Sequence, residues 1–358
     1  MPLASTCLGW MASWAGVFLF PADSLPHRDS LPVGRPYIEK IGDLATVKAT
    51  YSEDLEALAL LTPGRDLELA PNASAAVHFG FSYRFLSVGF KVAPRFLPGS
   101  GDEASMGKTA ARGMALGFSF RHWQQEFSYS RTKGYYLENT ADYVPGWKEG
   151  MPYLQFPDLL FRNFQGITAY NFNPRFSVNA VLTQTERQRR SAGSFIPLLL
   201  YRYYIIDDRS VPVSPGGATQ KTNNFEVLLG AGYQHTFVWR YWYASLGVTP
   251  GAGYIFTKLT TRFPGGPAVD HSHTPAFRVD GRAGIGYNGQ RVYAGTYMNV
   301  ISNASRQENN AVINSDSRLI FRVFVGYRFR APKFLSRPMD RFREMYERKL
   351  ERLRARAH

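Results

Sequence analysis

The chain has 358 residues, a formal net charge of +14 and a single cysteine, Cys7. One thiol excludes a disulfide scaffold and a cysteine-ligated zinc site, and if the N-terminus is removed it excludes thiol catalysis as well. Charged residues make up only 20%, below the roughly 25% of soluble domains, whereas aromatics reach 15% and 32 residues are glycine. Past the N-terminus no run of about 20 apolar residues exists to form a spanning helix, so the composition points to an all-β chain of amphipathic strands.

The first residues read as an export signal, 1–22. Leu8 to Phe20 forms the apolar stretch and Pro21-Ala22-Asp23 offers a cleavage site, although no Lys or Arg precedes it. Residues 23–44 read as a periplasmic lead. A first strand is expected from Thr46 to Leu60. In Ala75–Arg84 one face carries Ala75, Val77, Phe79, Phe81 and Tyr83, and the other Ala76, His78, Gly80, Ser82 and Arg84. The same period of two returns at Phe176–Thr183, Trp242–Phe256, Phe277–Asn288 and Leu319–Phe329.

Alternation gives each strand two unlike faces and leaves open which face is wet. Two features argue that the apolar face meets lipid. The polar faces are rich in glycine and charge, which suits a crowded lumen better than a solvent-facing sheet. The apolar faces end in Tyr, Phe or Trp, as in the aromatic girdles of membrane barrels. Connections near Arg84-Phe85, Arg121-His122, Asn171–Phe176, Trp239-Arg240 and Asn288-Gly289 are short. Those near 93–109, 137–162, 258–275 and 303–317 are long and polar. Short periplasmic turns alternating with long extracellular loops describe a transmembrane antiparallel up-and-down β-barrel spanning residues 45–330. About 12 strands are expected, with 14 as the alternative. Strand parity fails between Arg187 and Thr222, so "SFIPLLLYRYYIIDD" (194–208) is read as extending above the membrane rather than as a full crossing. The remaining residues, 331–358, read as a basic periplasmic tail that Pro338 opens as a helix with Phe342, Met345, Tyr346, Leu350 and Leu353 near one face.

Two groups of residues could carry chemistry. Arg278, Asp280, Arg282, Arg318, Arg322 and Arg328 fall on the inward face of the C-terminal strands, with Glu226 and Glu126 on inward faces elsewhere. They form either an anion-selective lumen or a packed set of ion pairs that conducts nothing. Arg187, Arg189 and Arg190, with Ser191 and Ser194, form either an anion-binding rim loop or structural pairs. The strand histidines, His78, His122 and His235, have no serine at a convincing spacing, and Asp270–Thr274 reads as a solvated turn. No catalytic residue, metal site or cofactor is assigned.

At "LTQTERQRRSAGSF" (Leu182–Phe195) the chain resembles a family of Gram-negative outer-membrane proteins known as domain of unknown function 4421. "YIEKIGDLATVKATYS" (Tyr37–Ser52), "APNASAAVHFGFSYRFLSVGF" (Ala70–Phe90), "KGYYLEN" (Lys133–Asn139) and "GRAGIGYNG" (Gly281–Gly289) add to the resemblance, which runs over about residues 35–330. It implies a β-barrel in the bacterial outer membrane and carries no activity with it. The expected role is structural or that of a small-solute pore, without enzymatic activity. The alternatives are a lipid-modifying enzyme (a hydrolase or acyltransferase) and a scaffold that docks a periplasmic partner through its basic tail. Expected partners are outer-membrane lipid, lipopolysaccharide and the barrel-assembly machinery. The net charge is not read as a nucleic-acid signal, because no recognition motif accompanies it.

Overall fold

The computed structural model describes residues 36–42, 44–53, 57–62, 65–73, 75–94, 96–97, 102–210, 217–305, 318–334, 336–338 and 340–341. The expected signal, much of the lead and most of the basic tail lie outside them.

Among the described residues, sixteen strands follow in chain order. They are β1 (Ile38–Lys40), β2 (Leu44–Ser52), β3 (Leu58–Thr62), β4 (Arg65–Ala70), β5 (Ala76–Tyr83), β6 (Leu86–Val92), β7 (Ala110–Ser119) and β8 (Trp123–Leu137). After these come β9 (Gln155–Tyr170), β10 (Glu186–Gln188), β11 (Ala192–Asp207), β12 (Thr219–Trp239), β13 (Trp242–Phe263), β14 (Gly266–Asn288), β15 (Val292–Ser305) and β16 (Arg318–Arg330). Twelve of them form one closed antiparallel ring, each paired with its neighbour in the order β2, β5, β6, β7, β8, β9, β11, β12, β13, β14, β15, β16. The ring closes where β16 pairs with β2, from Arg322 opposite Ser52 to Arg330 opposite Leu44. Closure leaves no free edge, which is what a sheet needs if lipid surrounds it.

The strands turn their apolar faces outward. On β16, Leu319, Phe321, Val323, Val325 and Tyr327 are exposed, whereas Ile320, Arg322, Phe324 and Arg328 are buried. The same parity runs through β14, where Phe277, Val279 and Ile285 are exposed. A soluble barrel would show the reverse, so this is a barrel of the outer-membrane type. Lumenal glycines make room for rings. A Cβ on Gly326 would lie 2.2 Å from Tyr293 Cζ, and one on Gly286 2.6 Å from Tyr243 Cζ. The short-turn end is ringed by aromatic contacts, including Phe85 with Phe120 at 5.4 Å, Tyr170 with Phe172 at 4.9 Å and Trp242 with Tyr287 at 5.5 Å.

Four sequence expectations need correction. The first barrel strand ends at Ser52 and not at Leu60, because Leu58 belongs to a separate hairpin, β3–β4. The alternation at Phe176–Thr183 is not a strand: these residues form turns inside the barrel. Conversely, Ala192–Asp207 is a complete strand, paired along most of its length on both sides. Trading one segment for the other removes the parity conflict at 12 strands. Lastly, the expected loop at 258–275 is mostly the β13–β14 hairpin, whose pairing continues out to Phe263 opposite Gly266. Of the basic tail, the described part of 333–341 is helical, and Asp340 holds Arg84 at 2.6 Å.

Candidate functional site: a segment folded into the lumen

Residues 171–191 connect β9 to β11 at the short-turn end and fold back into the barrel. Phe176, Val178, Ala180 and Val181 are buried there. Phe176 and Val178 join an apolar cluster with Ile167, Ile196, Leu200 and Leu228 of the wall. β10, inside this segment, pairs with β1, so the lead and the plug share a two-stranded sheet.

The plug exposes backbone carbonyls, and the wall supplies donors for them. Lys48 Nζ donates to the Leu182 carbonyl and Thr46 Oγ1 to that of Thr183. Asn288 Nδ2 donates to the Ala180 carbonyl at 3.2 Å. Arg328 does most: its Nε and Nη2 donate to the Gln184 carbonyl at 2.9 and 2.8 Å, and its Nη1 to the Gly289 carbonyl. Its guanidinium lies 4.7 Å from the centre of the Tyr293 ring. Arg328 is 0% exposed. A planar donor fork can satisfy several carbonyls at once where an ammonium could not. Between plug and wall there remains a cavity of about 10 Å³, lined in part by Arg187, Tyr243 and Asn288, which is room for about one water.

The long-loop end carries an apolar layer of its own. Leu58 and Leu69 of the β3–β4 hairpin pack with Tyr135, Leu137, Leu159, Phe161, Tyr204, Ile206, Ile301 and Ile320 into a buried apolar layer. Leu69 pairs with Leu137, which ties the hairpin to β8.

Other sequence-selected lumenal residues form local groups on the wall. Arg278 Nε donates to both carboxylate oxygens of Asp280 at 3.0 Å. Glu226 lies 3.4 Å from Arg202, which also donates to Asn163 Oδ1 at 2.7 Å. Arg322 Nε donates to Ser52 Oγ at 3.1 Å. Arg282 sits on the same inward face of β14 as Arg278 and Asp280, and Glu126 is buried on β8. The Arg318 side chain lies outside the described residues. The single cluster expected from sequence therefore divides, because Arg328 belongs to the plug and not to the charge layer.

Sequence reasoning missed Arg202 and Lys48, both buried. Each had a legible signal: Arg202 is a lone charge in "LLLYRYYII", and Lys48 continues the polar face of Thr46, Thr50 and Ser52.

The rim residues are partnered by the lead and by backbone amides. Arg187 and Arg189 lie 3.2 and 3.5 Å from Glu39, and Arg190 stacks over Tyr37. Ser191 Oγ accepts from the Val238 amide, and Ser194 Oγ accepts from the Asn173 amide. Among the histidines, His122 is stacked on Tyr170 and bonded to the Asn171 carbonyl, while His235 packs on Phe237.

A family model described as domain of unknown function (DUF4421) matches residues 27–329. The chain belongs to that family. The motif "RQRRSAGSF" that carries the DUF4421 resemblance is thus the plug's return to the wall. A search of curated proteins finds no match. Solved structures resemble this DUF4421 barrel only distantly. The copper transporter OprC is 10% identical with a TM-score of 0.32, over 80% of this chain and 43% of OprC. The outer-membrane protease OmpT from Escherichia coli is 11% identical with a TM-score of 0.31, over 80% of this chain and 94% of OmpT. An anion-selective porin from Comamonas acidovorans is 8% identical with a TM-score of 0.16, over 80% and 98%. The chain spans less than half the length of OprC, and likenesses this small carry no argument about activity.

Proposed function

We propose that this protein is an outer-membrane barrel closed at rest, in which residues 171–191 plug a pathway for small solutes. The observation that carries the reading is the way the plug is held. Wall side chains grip its backbone carbonyls through hydrogen bonds that can be exchanged for water, with Arg328 at the centre. Behind the plug the lumen is polar and charged, which a purely structural barrel does not require. Arg282 and Arg322 would give the opened lumen an anion preference, whereas Arg278 is largely spent on Asp280.

Planar-bilayer recording tests this. The full chain is expected to be silent. Replacing 176–188 by a short Gly-Ser linker is expected to produce steady conductance with anion preference, reduced by Arg282→Ala and Arg322→Ala. Steady conductance of the unaltered protein would refute the resting closure. Silence of a correctly folded plug-deleted barrel would remove the pathway and leave a structural role.

A further inference from the structure

Away from the lumen, the outer wall has an apolar groove of about 810 Å³ at the seam where the ring closes. Two cross-strand rows form it. One runs through Val292, Tyr327, Val47, Phe81 and Val88, the other through Val325, Ala49, Phe79 and Phe90. Ala49 is the small residue at the middle of the second row, between Val325 and Phe79, and it leaves the depression. These rows lie on the lipid-facing side, so the groove's occupant is a hydrocarbon chain.

What sits at the groove's short-turn end identifies the rest of that molecule. All four tight turns at this end of the barrel carry an arginine: Arg84, Arg121, Arg240 and Arg291. In Arg84 and Arg240 it occupies a left-handed position, with φ of 53° and 56°. Glycine or asparagine would take that conformation at lower steric cost, so the turn itself gives no reason for a guanidinium. Three basic residues border the groove's strands at this end. Arg291 donates to the hydroxyl of Tyr327 at 3.2 Å, Arg330 is exposed at the end of β16, and Arg84 is held by Asp340. Among the described residues at this end, one acid stands against three guanidiniums, a net positive charge just past the aromatic girdle, at headgroup depth.

We infer that the seam groove is a binding site for one anionic phospholipid of the leaflet at the short-turn face, its acyl chain over Ala49 and its phosphate at Arg291, Arg330 and Arg84. This seat is independent of the plug and stands whether or not the lumen conducts.

The full chain, reconstituted in phosphatidylcholine vesicles, would be labelled with trace phosphatidylglycerol or phosphatidylcholine bearing a photoreactive acyl chain, and the adducts mapped by mass spectrometry. Phosphatidylglycerol is expected to label β2, β5 and β16 in preference to phosphatidylcholine, with about fivefold of that preference lost for each arginine removed. Arg291→Gln with Arg84→Gly should abolish the preference. Arg84→Gly relieves the left-handed turn but also removes the contacts of Arg84 to Asp340 and to the Gly42 carbonyl. The thermal stability of each variant is therefore measured beside its labelling, and Arg291→Gln alone, at unchanged stability, should still lower the preference. Ala49→Phe should reduce labelling by both lipids. Equal labelling by the two lipids, adducts spread evenly around the barrel, an unchanged preference in the double variant, or displacement by lipopolysaccharide but not by phosphatidylglycerol would each overturn the site.

Discussion

At the scale of the residue, adjacent positions on one strand live in opposite solvents. Val323 is 44% exposed on the lipid face, and Arg322 beside it is 6% exposed in the lumen. Side-chain period, not residue type alone, decides what each position tolerates. Val323→Arg is expected to destabilise the barrel by about 2–4 kcal/mol, the cost of a cation near the bilayer midplane. Urea unfolding in lipid vesicles measures it. A change near zero would mean that the outer face does not meet hydrocarbon.

The plug shows what an element can do that its residues do not advertise. "FSVNAVLT" alternates as regularly as any strand in this chain, yet it forms turns because its partners are carbonyl-seeking side chains inside the ring and not a neighbouring strand. Strand parity argues against the adjacent β11 as a full crossing, yet it pairs with β9 and β12. Local period misleads in both cases: the plug segment alternates without pairing, and β11, with its apolar run Ile196–Tyr201, pairs without alternating. Arg328 carries the distinction, as the buried residue that addresses the plug's Gln184 carbonyl and the Gly289 carbonyl of the β14–β15 turn together. Arg328→Met leaves those carbonyls buried without donors, at about 1–3 kcal/mol for each such group. Hydrogen exchange should then quicken across 176–188 while the amides of β12–β14 stay protected. Unchanged protection of 176–188 would show that the apolar contacts of Phe176 and Val178 hold the plug unaided.

For the whole molecule, closure is the dominant physical fact. Every barrel strand has two partners, so heat or denaturant must open the ring as a unit. The unheated protein is expected to migrate faster than the boiled one in SDS gels, and to fractionate with the outer membrane of a Gram-negative host. Identical migration before and after boiling would argue against a closed ring. The legible part of the candidate site was its composition. Arg278, Asp280, Arg282, Arg322 and Glu226 could be placed on inward faces by parity. Which of them meet could not be read, because pairing depends on strand order and register: Arg202 reaches Glu226 across β11 and β12, and Arg328 reaches over a hundred residues back to Gln184.

By itself the sequence determined that this chain makes strands with one apolar and one polar face, roughly how many, and where four of the short turns fall. Those are properties of a local two-residue period and of turn chemistry, and they need no knowledge of what lies across space. Only the tertiary structure decided which face is wet, which alternating segment is wall and which is plug, and which arginine is spent on what. Alternation is symmetric between inside and outside until the ring closes, and a buried carbonyl finds its donor only once distant strands stand side by side.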